Sequence, residues 1–214
     1  MPIKTREDYY IYLESDLDAR KLDQWKRSYK VLHSELYFQR LLRKAEYLKT
    51  KKLKNSFWLW RYNRSLIQLK KVGARLGISI HPGSFGPGLK IPHFGSVTVN
   101  KKARIGKNCE IHSGVNIGMH KGGVPKIGNN VYIGPGAKIF GGITIGNNVS
   151  IGANSVVTKD LPDNVTVVGI PAKIIAENTK SQSRRGYDNV KKRRAETVQE
   201  PKGFFNRIFK SNNG

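Results

Sequence analysis

The aliphatic residues in the second half of the chain recur every six positions. Ile or Val stands at positions 105, 111 and 117, and again at 127, 133, 139, 145, 151 and 157. A strict six-residue period predicts short strands and turns stacked into coils, with the aliphatic side chains inside and Gly or Asn in the turns. Three hexads close one triangular coil, so nine predict about three coils, with a weaker hexad before them. The ten-residue gap after Ile117 predicts a four-residue insertion near residues 119–126.

The first part of the chain has a helical period instead. Apolar residues lie at i, i+4, i+7 and i+11 on one helical face: Trp25, Tyr29, Leu32 and Leu36. Asp23 is the predicted N-cap of this helix. The segment 49–55 breaks the pattern and predicts a turn, after which a second helix is expected over 56–76. We therefore expect residues 6–76 to be helical.

Charge divides the chain into three segments that are all basic. There are 39 Lys and Arg against 15 Asp and Glu, a net charge of +24. Residues 1–77 hold 19 basic and 8 acidic side chains, residues 78–176 hold 10 and 3, and residues 177–214 hold 10 and 4. We expect an N-terminal helical region (1–77), a β-helix domain (78–176) and a basic, flexible tail (177–214). The surplus of positive charge favours polyanionic binding partners.

Composition excludes several classes of protein. The single Cys109 excludes a disulfide framework. No run of 18 apolar residues is present, and the N-terminal residues resemble no secretory signal, so we expect a cytoplasmic protein. No Cys and His spacing typical of a metal site occurs, and no metal is expected.

Short runs of residues carry a family resemblance. Ile-Ser-Ile-His-Pro-Gly at 78–83 and Ile-Pro-His-Phe-Gly at 91–95 resemble the first coil of the serine O-acetyltransferases, whose second run bears the catalytic His. Segments 155–162 and 168–173 resemble the C-terminal cap of CoA-dependent hexapeptide-repeat acetyltransferases. The resemblance implies a left-handed parallel β-helix with an N-terminal α-helical region, and acetyl-CoA as co-substrate. It also implies a homotrimer, or two trimers joined through their helices.

Three positions depart from the serine O-acetyltransferase pattern. Ser79 stands where the family has the Asp that pairs with the catalytic His, Pro92 replaces another Asp, and Val124 replaces a second active-site His in a shortened loop. The chain is therefore more similar to the serine-acetyltransferase-like proteins of capsule and exopolysaccharide loci. We expect O-acetylation of a capsular or exopolysaccharide sugar or its precursor. The alternatives are serine O-acetylation and a non-enzymatic scaffold or polyanion binder; nucleic acid ranks last because no base-stacking motif is present.

Acetyl transfer to a hydroxyl needs a general base, and histidine suits that task. The resemblance assigns the catalytic role to His93, with a buried core histidine as its alternative. His120 is the rival, because related sugar and xenobiotic acetyltransferases carry a catalytic His in a comparable loop. His112, one residue past an inward Ile, is expected to face outward, toward a neighbouring subunit. His33 and His81 are expected to be structural.

The resemblance also places acetyl-CoA in a groove between two β-helices. The residues carried onto this groove are Pro135, Gly136, Ala153, Thr158 and Lys159. Small residues would let the pantetheine approach the backbone, and Lys159, Lys173 or both would meet phosphates as point charges. The alternative for Lys159 is an ordinary solvated turn lysine, and Cys109 is expected in the core.

The C-terminal segment predicts a peripheral membrane contact. The cluster Lys-Lys-Arg-Arg at 191–194 precedes a short aromatic and basic stretch, Phe-Phe-Asn-Arg-Ile-Phe-Lys at 204–210. Charge and aromatic burial together would hold such a tail on the anionic inner face of a membrane. The alternative is a disordered tail in solvent.

Overall fold

Helices form the N-terminal part of the computed structural model, which describes residues 3–179, 181, 183 and 185–199. They are α1 (Arg6–Asp18), α2 (Tyr29–Leu32), α3 (Ser34–Lys49) and α4 (Ser56–Leu76), and a further helix, α5 (Gly186–Gln199), follows the strands. The predicted second helix is confirmed as α4. The Asn55 side chain caps its first turn, accepting a hydrogen bond from the Trp58 amide, and Gly77 ends it with a φ of 70°.

The predicted helix beginning at Asp23 is wrong. The chain is not helical from residue 20 to residue 28, and His33, with φ −134° and ψ 61°, separates α2 from α3. Tyr29 and Leu36 pack with Leu17 of α1 in a small cluster across this bend, whereas Leu32 is 71% exposed. Packing against α1 therefore overrides the helical spacing of the apolar residues.

The strands are short and pair across large sequence distances. They are β1 (Ile78–Ser79), β2 (Val97–Val99), β3 (Arg104–Ile105), β4 (Glu110–Ile111), β5 (Asn116–Gly118), β6 (Lys126–Ile127), β7 (Tyr132–Ile133), β8 (Lys138–Phe140), β9 (Thr144–Ile145), β10 (Ser150–Ile151), β11 (Val156–Val157), β12 (Thr166–Val168) and β13 (Lys173–Ala176). Sheet A has the order β1-β2-β5-β8-β11, sheet B the order β3-β6-β9, and sheet C the order β13-β12-β10-β7-β4. All pairs are parallel except β12 with β13.

The three sheets are the faces of a left-handed parallel β-helix of about five coils, which confirms the predicted fold class. The hexad aliphatics face inward, and Ile111, Ile117, Ile133 and Ile139 are fully buried. The structure has more coils than the hexads predicted. Parallel bridges from Phe85 to Ile105 and from Lys90 to Glu110 show that residues 78–90 also form a coil, although their apolar spacing is irregular.

Asparagines stack along the corner between sheets B and C, which we call the asparagine corner. Asn108, Asn130, Asn148 and Asn164 all have φ between 56° and 61°. The side-chain amides of the first three each donate to the side-chain oxygen of the next asparagine, at 2.8, 2.8 and 2.9 Å. The same residues thus satisfy the left-handed turn and bond one coil to the next.

A buried ionic cluster joins the helices to the first coil. The fully buried Arg43 of α3 pairs with Asp16 of α1 at 2.9 Å and with Glu46 at 3.1 Å. Its guanidinium also donates to the carbonyl oxygens of Phe85 and Gly86, at 3.0 and 2.7 Å. One side chain therefore connects two helices and the β-helix.

The expected flexible tail is instead helical over part of its length. Helix α5 packs against α1: Arg194 makes two hydrogen bonds to Glu14, at 2.8 and 2.9 Å, and Arg193 pairs with Asp18 at 2.9 Å. Val190 is buried. The acidic face of α1 neutralises half of the basic cluster that carried the membrane prediction, and the aromatic stretch 204–210 lies outside the described residues. In the described part of the chain, no helix is both long and apolar enough to cross a bilayer.

Candidate active site

Two histidines lie together at the corner between sheets C and A, which we call the histidine corner. His93 lies in the turn before β2, and His112 follows β4 on the next coil. Their ring centroids are 6.5 Å apart. The coils pack closely here, since a Cβ on Gly95 would lie 2.9 Å from the Ser113 Cβ.

His112 has a carboxylate partner. Its Nε2 lies 3.1 Å from Oε1 of Glu110. The same oxygen forms an ion pair with the Lys90 Nζ, also at 3.1 Å. Burial of Glu110 opposes its ionisation, but the hydrogen bonds from His112 and Lys90 outweigh burial and hold the pKa of Glu110 below its ordinary value. The Tyr132 ring packs beside His112 at 5.1 Å. A carboxylate on Nε2 fixes the orientation of the imidazole ring.

His93 is exposed, so its alternative as a buried core histidine is wrong. Among the described residues no carboxylate pairs with it, and Ser79, which occupies the position of the family's Asp, is also exposed. His93 thus has solvent access but no acidic partner, whereas His112 has the acidic partner and is mostly buried. The catalytic assignment of His93 stays a prediction.

Three of the predicted cofactor residues lie on the coils below His112, along the same corner. The Gly136 amide donates to the Ser113 carbonyl at 2.9 Å, and the Asn154 amide donates to the Pro135 carbonyl at 2.8 Å. Ala153 is exposed beside Asn154. Since adjacent strands are ~4.8 Å apart, Ala153 lies about 10 Å below the level of His112. The histidine corner therefore presents two imidazoles and a row of small residues in line.

The other predicted residues lie elsewhere on the β-helix. His120, Thr158 and Lys159 are exposed at the corner between sheets A and B, which we call the loop corner. The inserted loop is confirmed there, and its tip is a tight turn in which the amides of His120 and Gly123 bond each other's carbonyls at 3.0 Å. The strands of sheet A run from one corner to the other, and a strand of three residues is about 10 Å long. Within one chain, His120 and His93 therefore do not meet.

Lys173 lies on β13, paired with Val168 at the end of β12. The Lys173 side chain is exposed. The turn after Val168 continues the histidine corner on the last coil, so Lys173 lies at the end of the same row of residues. In the described part of the chain, no group of three or more His, Cys, Asp or Glu is arranged to hold a metal ion. Cys109 is buried in the core, and burial raises the pKa of its thiol.

Sequence reasoning missed Glu110 as a functional candidate. A signal for it was present: Glu110 is the only acidic residue between positions 78 and 159, and it stands two residues before His112. In a strand, residues i and i+2 share a face. A lone carboxylate placed next to a histidine in this way indicates a hydrogen-bonded pair.

The comparisons with known proteins agree with the fold and the resemblance. Residues 125–159 match the family model described as bacterial transferase hexapeptide (six repeats). A crystal structure of serine acetyltransferase from Brucella abortus in complex with coenzyme A superposes with a TM-score of 0.62 and 27% identity, over 82% of this chain and 71% of that one. The stacked hexads and these matches define a hexapeptide-repeat transferase.

Curated relatives identify the family within that class. Serine acetyltransferase of Staphylococcus aureus is 34% identical over 183 residues, covering 82% of this chain and 79% of the relative. The chain belongs to the serine acetyltransferase family, which confirms the predicted resemblance. The Synechococcus elongatus enzyme is 40% identical over 130 residues, 54% of this chain and 52% of that protein. The chain thus spans about half the length of this relative.

Proposed function

We propose that the protein transfers the acetyl group of acetyl-CoA to a hydroxyl oxygen, with serine as the acceptor. Its curated relatives are serine acetyltransferases, and the serine acetyltransferase of Neisseria gonorrhoeae in complex with serine superposes with a TM-score of 0.62 and 32% identity, over 80% of this chain and 70% of that one. This support favours the serine alternative over the sugar acceptor that sequence analysis placed first. The observation that carries the proposal is the pair of imidazoles in line with small residues at the histidine corner.

The reaction needs one base and one extended groove. The base removes the hydroxyl proton as the oxygen attacks the thioester carbonyl; the C–S bond then breaks, and the thiolate of coenzyme A takes up a proton. We assign the base to His93, which is exposed at the corner, and a positioning role to His112 with Glu110. Pro135, Gly136 and Ala153 would lie along the pantetheine.

The separation of the two corners supports a site shared between copies of the chain. One β-helix would contribute its histidine corner, and its neighbour would contribute the loop corner with His120, Thr158 and Lys159. This arrangement needs a cyclic oligomer, for which we propose a trimer. Phosphates of coenzyme A would then meet Lys159 of one chain or Lys173 of the other.

Thiol release from acetyl-CoA with free serine tests the activity. His93→Asn should lower the turnover ~10²- to 10⁴-fold, the usual cost of losing a general base, without changing the melting temperature. His33→Asn, in the helical region, is the matched control and should keep the activity. Near wild-type turnover in His93→Asn, with an inactive His112→Asn, would move the base to His112.

Mixing two inactive variants tests the shared site. If His93→Asn and His120→Asn are both inactive, trimers assembled from an equal mixture of the two should recover about a quarter of the sites, since only some neighbours pair two intact corners. Failure of the mixture to recover activity, or an active monomer in light scattering, would contradict the shared site.

A sugar hydroxyl is the second candidate acceptor. Ser79 and Val124 replace the Asp and His that the resemblance assigns to the serine enzymes, and this departure favours a different acceptor. The same thiol assay with sialic or uronic acid polymers in place of serine separates the two. Turnover with the polymer and none with serine would make the sugar the acceptor.

A further inference from the structure

A cavity lies between α3 and α4, in the helical region and not on the β-helix corners. It is open to solvent on one side, since Lys44, Trp60 and Arg64 in its wall are exposed, and its volume is about 140 Å³. The residues that line it are Lys44, Leu48, Trp60, Arg61, Arg64, Ser65 and Gln68. The proposed acetyl transfer uses none of them.

The cavity concentrates positive charge without a counter-charge. Among the described residues, no carboxylate pairs with Lys44, Arg61 or Arg64, and Glu46 on the same helix is used by Arg43. Residues 49–76 contain nine Lys and Arg and no Asp or Glu. Burial, and next the nearby Arg61 and Arg64, lower the pKa of Lys44, which is the response of a cation among unpaired cations.

A buried hydroxyl in the cavity wall also lacks a partner. Ser65 is 2% exposed, and its Oγ forms no hydrogen bond. An unsatisfied buried hydroxyl costs free energy, so each such group calls for an explanation. The Gln68 amide is already used, donating to the Tyr37 hydroxyl at 2.7 Å. The Ser65 hydroxyl and the three cations are therefore available as donors to a ligand in the cavity.

Aromatic rings hold the two guanidinium groups in place. Arg61 lies 4.9 Å from the centre of the Trp58 ring, and Arg64 lies 5.6 Å from that of Trp60. Stacking of this kind restricts an arginine side chain before any ligand binds, which lowers the entropy cost of binding.

We propose that this cavity binds a phosphate group, with Lys44, Arg61, Arg64 and the Ser65 hydroxyl as its donors. Guanidinium groups match phosphate oxygens with two parallel hydrogen bonds, and the ammonium adds a point charge. The phosphate would belong to a soluble compound or to a lipid headgroup. Phe57 and Trp60, each 57% exposed, lie on the same turns of α4 and are suited to a bilayer surface.

Calorimetric titration of the full chain with pyrophosphate, at constant ionic strength, tests the site. We expect saturable binding that Arg64→Gln weakens ~10- to 100-fold, the worth of a charged hydrogen bond. Lys71→Gln is the matched control, because it removes the same charge from a position of the same helix that does not line the cavity, and its effect should stay within about twofold. Ser65→Ala should also weaken binding, although it changes no charge.

Vesicle sedimentation distinguishes the two sources of phosphate. Binding to phosphatidylcholine vesicles that contain phosphatidic acid, weakened by Arg64→Gln and not by Lys71→Gln, would assign the lipid headgroup; pyrophosphate binding without vesicle binding would assign a soluble ligand. Absence of saturable binding to both probes, or equal effects of Arg64→Gln and Lys71→Gln, would overturn the proposal. The KM for acetyl-CoA should stay unchanged in every variant, which separates this cavity from the coenzyme groove.

Discussion

Replacing Arg43 with Met tests how the helices are held on the β-helix. The change keeps an unbranched side chain and removes the cation that pairs with both Asp16 and Glu46 in the buried cluster. Both carboxyls are buried, at 2% and 7% exposure. They keep some hydrogen bonds, since Asp16 accepts from the amides of Gly88 and Leu89 at 3.0 and 2.9 Å. Their negative charges would nevertheless be uncompensated.

We expect Arg43→Met to lower the free energy of unfolding by ~3–5 kcal/mol, the usual cost of removing one partner of a buried ion pair. For a chain of this size, that loss corresponds to a melting temperature lower by about 6–20 °C. Urea unfolding followed by circular dichroism measures the loss. Arg40→Met is the matched control on the same helix. Arg40 stacks on Trp25 and pairs with no carboxylate among the described residues. Arg40→Met should therefore lower the free energy of unfolding by only about 1 kcal/mol.

The loss should also depend on pH. Burial raises the pKa of Asp16 and Glu46 above their ordinary values, and Arg43 opposes that rise. Without Arg43 both pKa values rise further, so above about pH 4.5 the folded state keeps protons that the unfolded state releases. The free energy of unfolding then falls as pH rises, and the effect of Arg43→Met should be larger at pH 8 than at pH 5. An effect of the same size at both pH values would refute the account based on uncompensated charge.

Three further changes test other parts of the fold. Ile139→Ala, in the fully buried inner column, should cost ~2–5 kcal/mol in urea unfolding, and a loss below about 1 kcal/mol would contradict the packing. Asn130→Ala removes both the side-chain hydrogen bond to Asn148 and a residue suited to a φ of 57°. It should lower the melting temperature more than Asn130→Gly, because glycine adopts this φ without strain. The reverse order of melting temperatures would contradict the role of φ. Because the hydrogen bonds from His112 and Lys90 hold the pKa of Glu110 below 4.5, this carboxylate stabilises the fold above that pH and less as the pH falls through the folded-state pKa. Glu110→Gln should therefore cost ~1–3 kcal/mol at pH 7 and little at pH 3, and equal losses at both would contradict the pair.

The β-helix could be predicted from local pattern alone. A six-residue period with Gly or Asn in the turns leaves few ways to bury one aliphatic residue per hexad, and stacking in coils satisfies all of them at once. The inserted loop followed from a gap in that period. Helix α4 was predictable for a similar reason, because its apolar spacing and Gly77 are contained within its own sequence. The first coil escaped the pattern, since residues 78–90 pair with later strands without sharing their spacing.

Other features of the structure depend on contacts between residues that are distant in the sequence. The pairing of Arg194 with Glu14, which orders α5 on α1, joins opposite ends of the chain. The Arg43 cluster and the unpaired charges of the α3–α4 cavity likewise depend on how separate elements pack. At the histidine corner, the pairing of Glu110 with His112 was visible locally, but its ion pair with Lys90 and the approach of His93 arise from the stacking of coils. Spacing along a chain defines which side chains share a face, whereas only tertiary packing brings charges from different elements within hydrogen-bond distance.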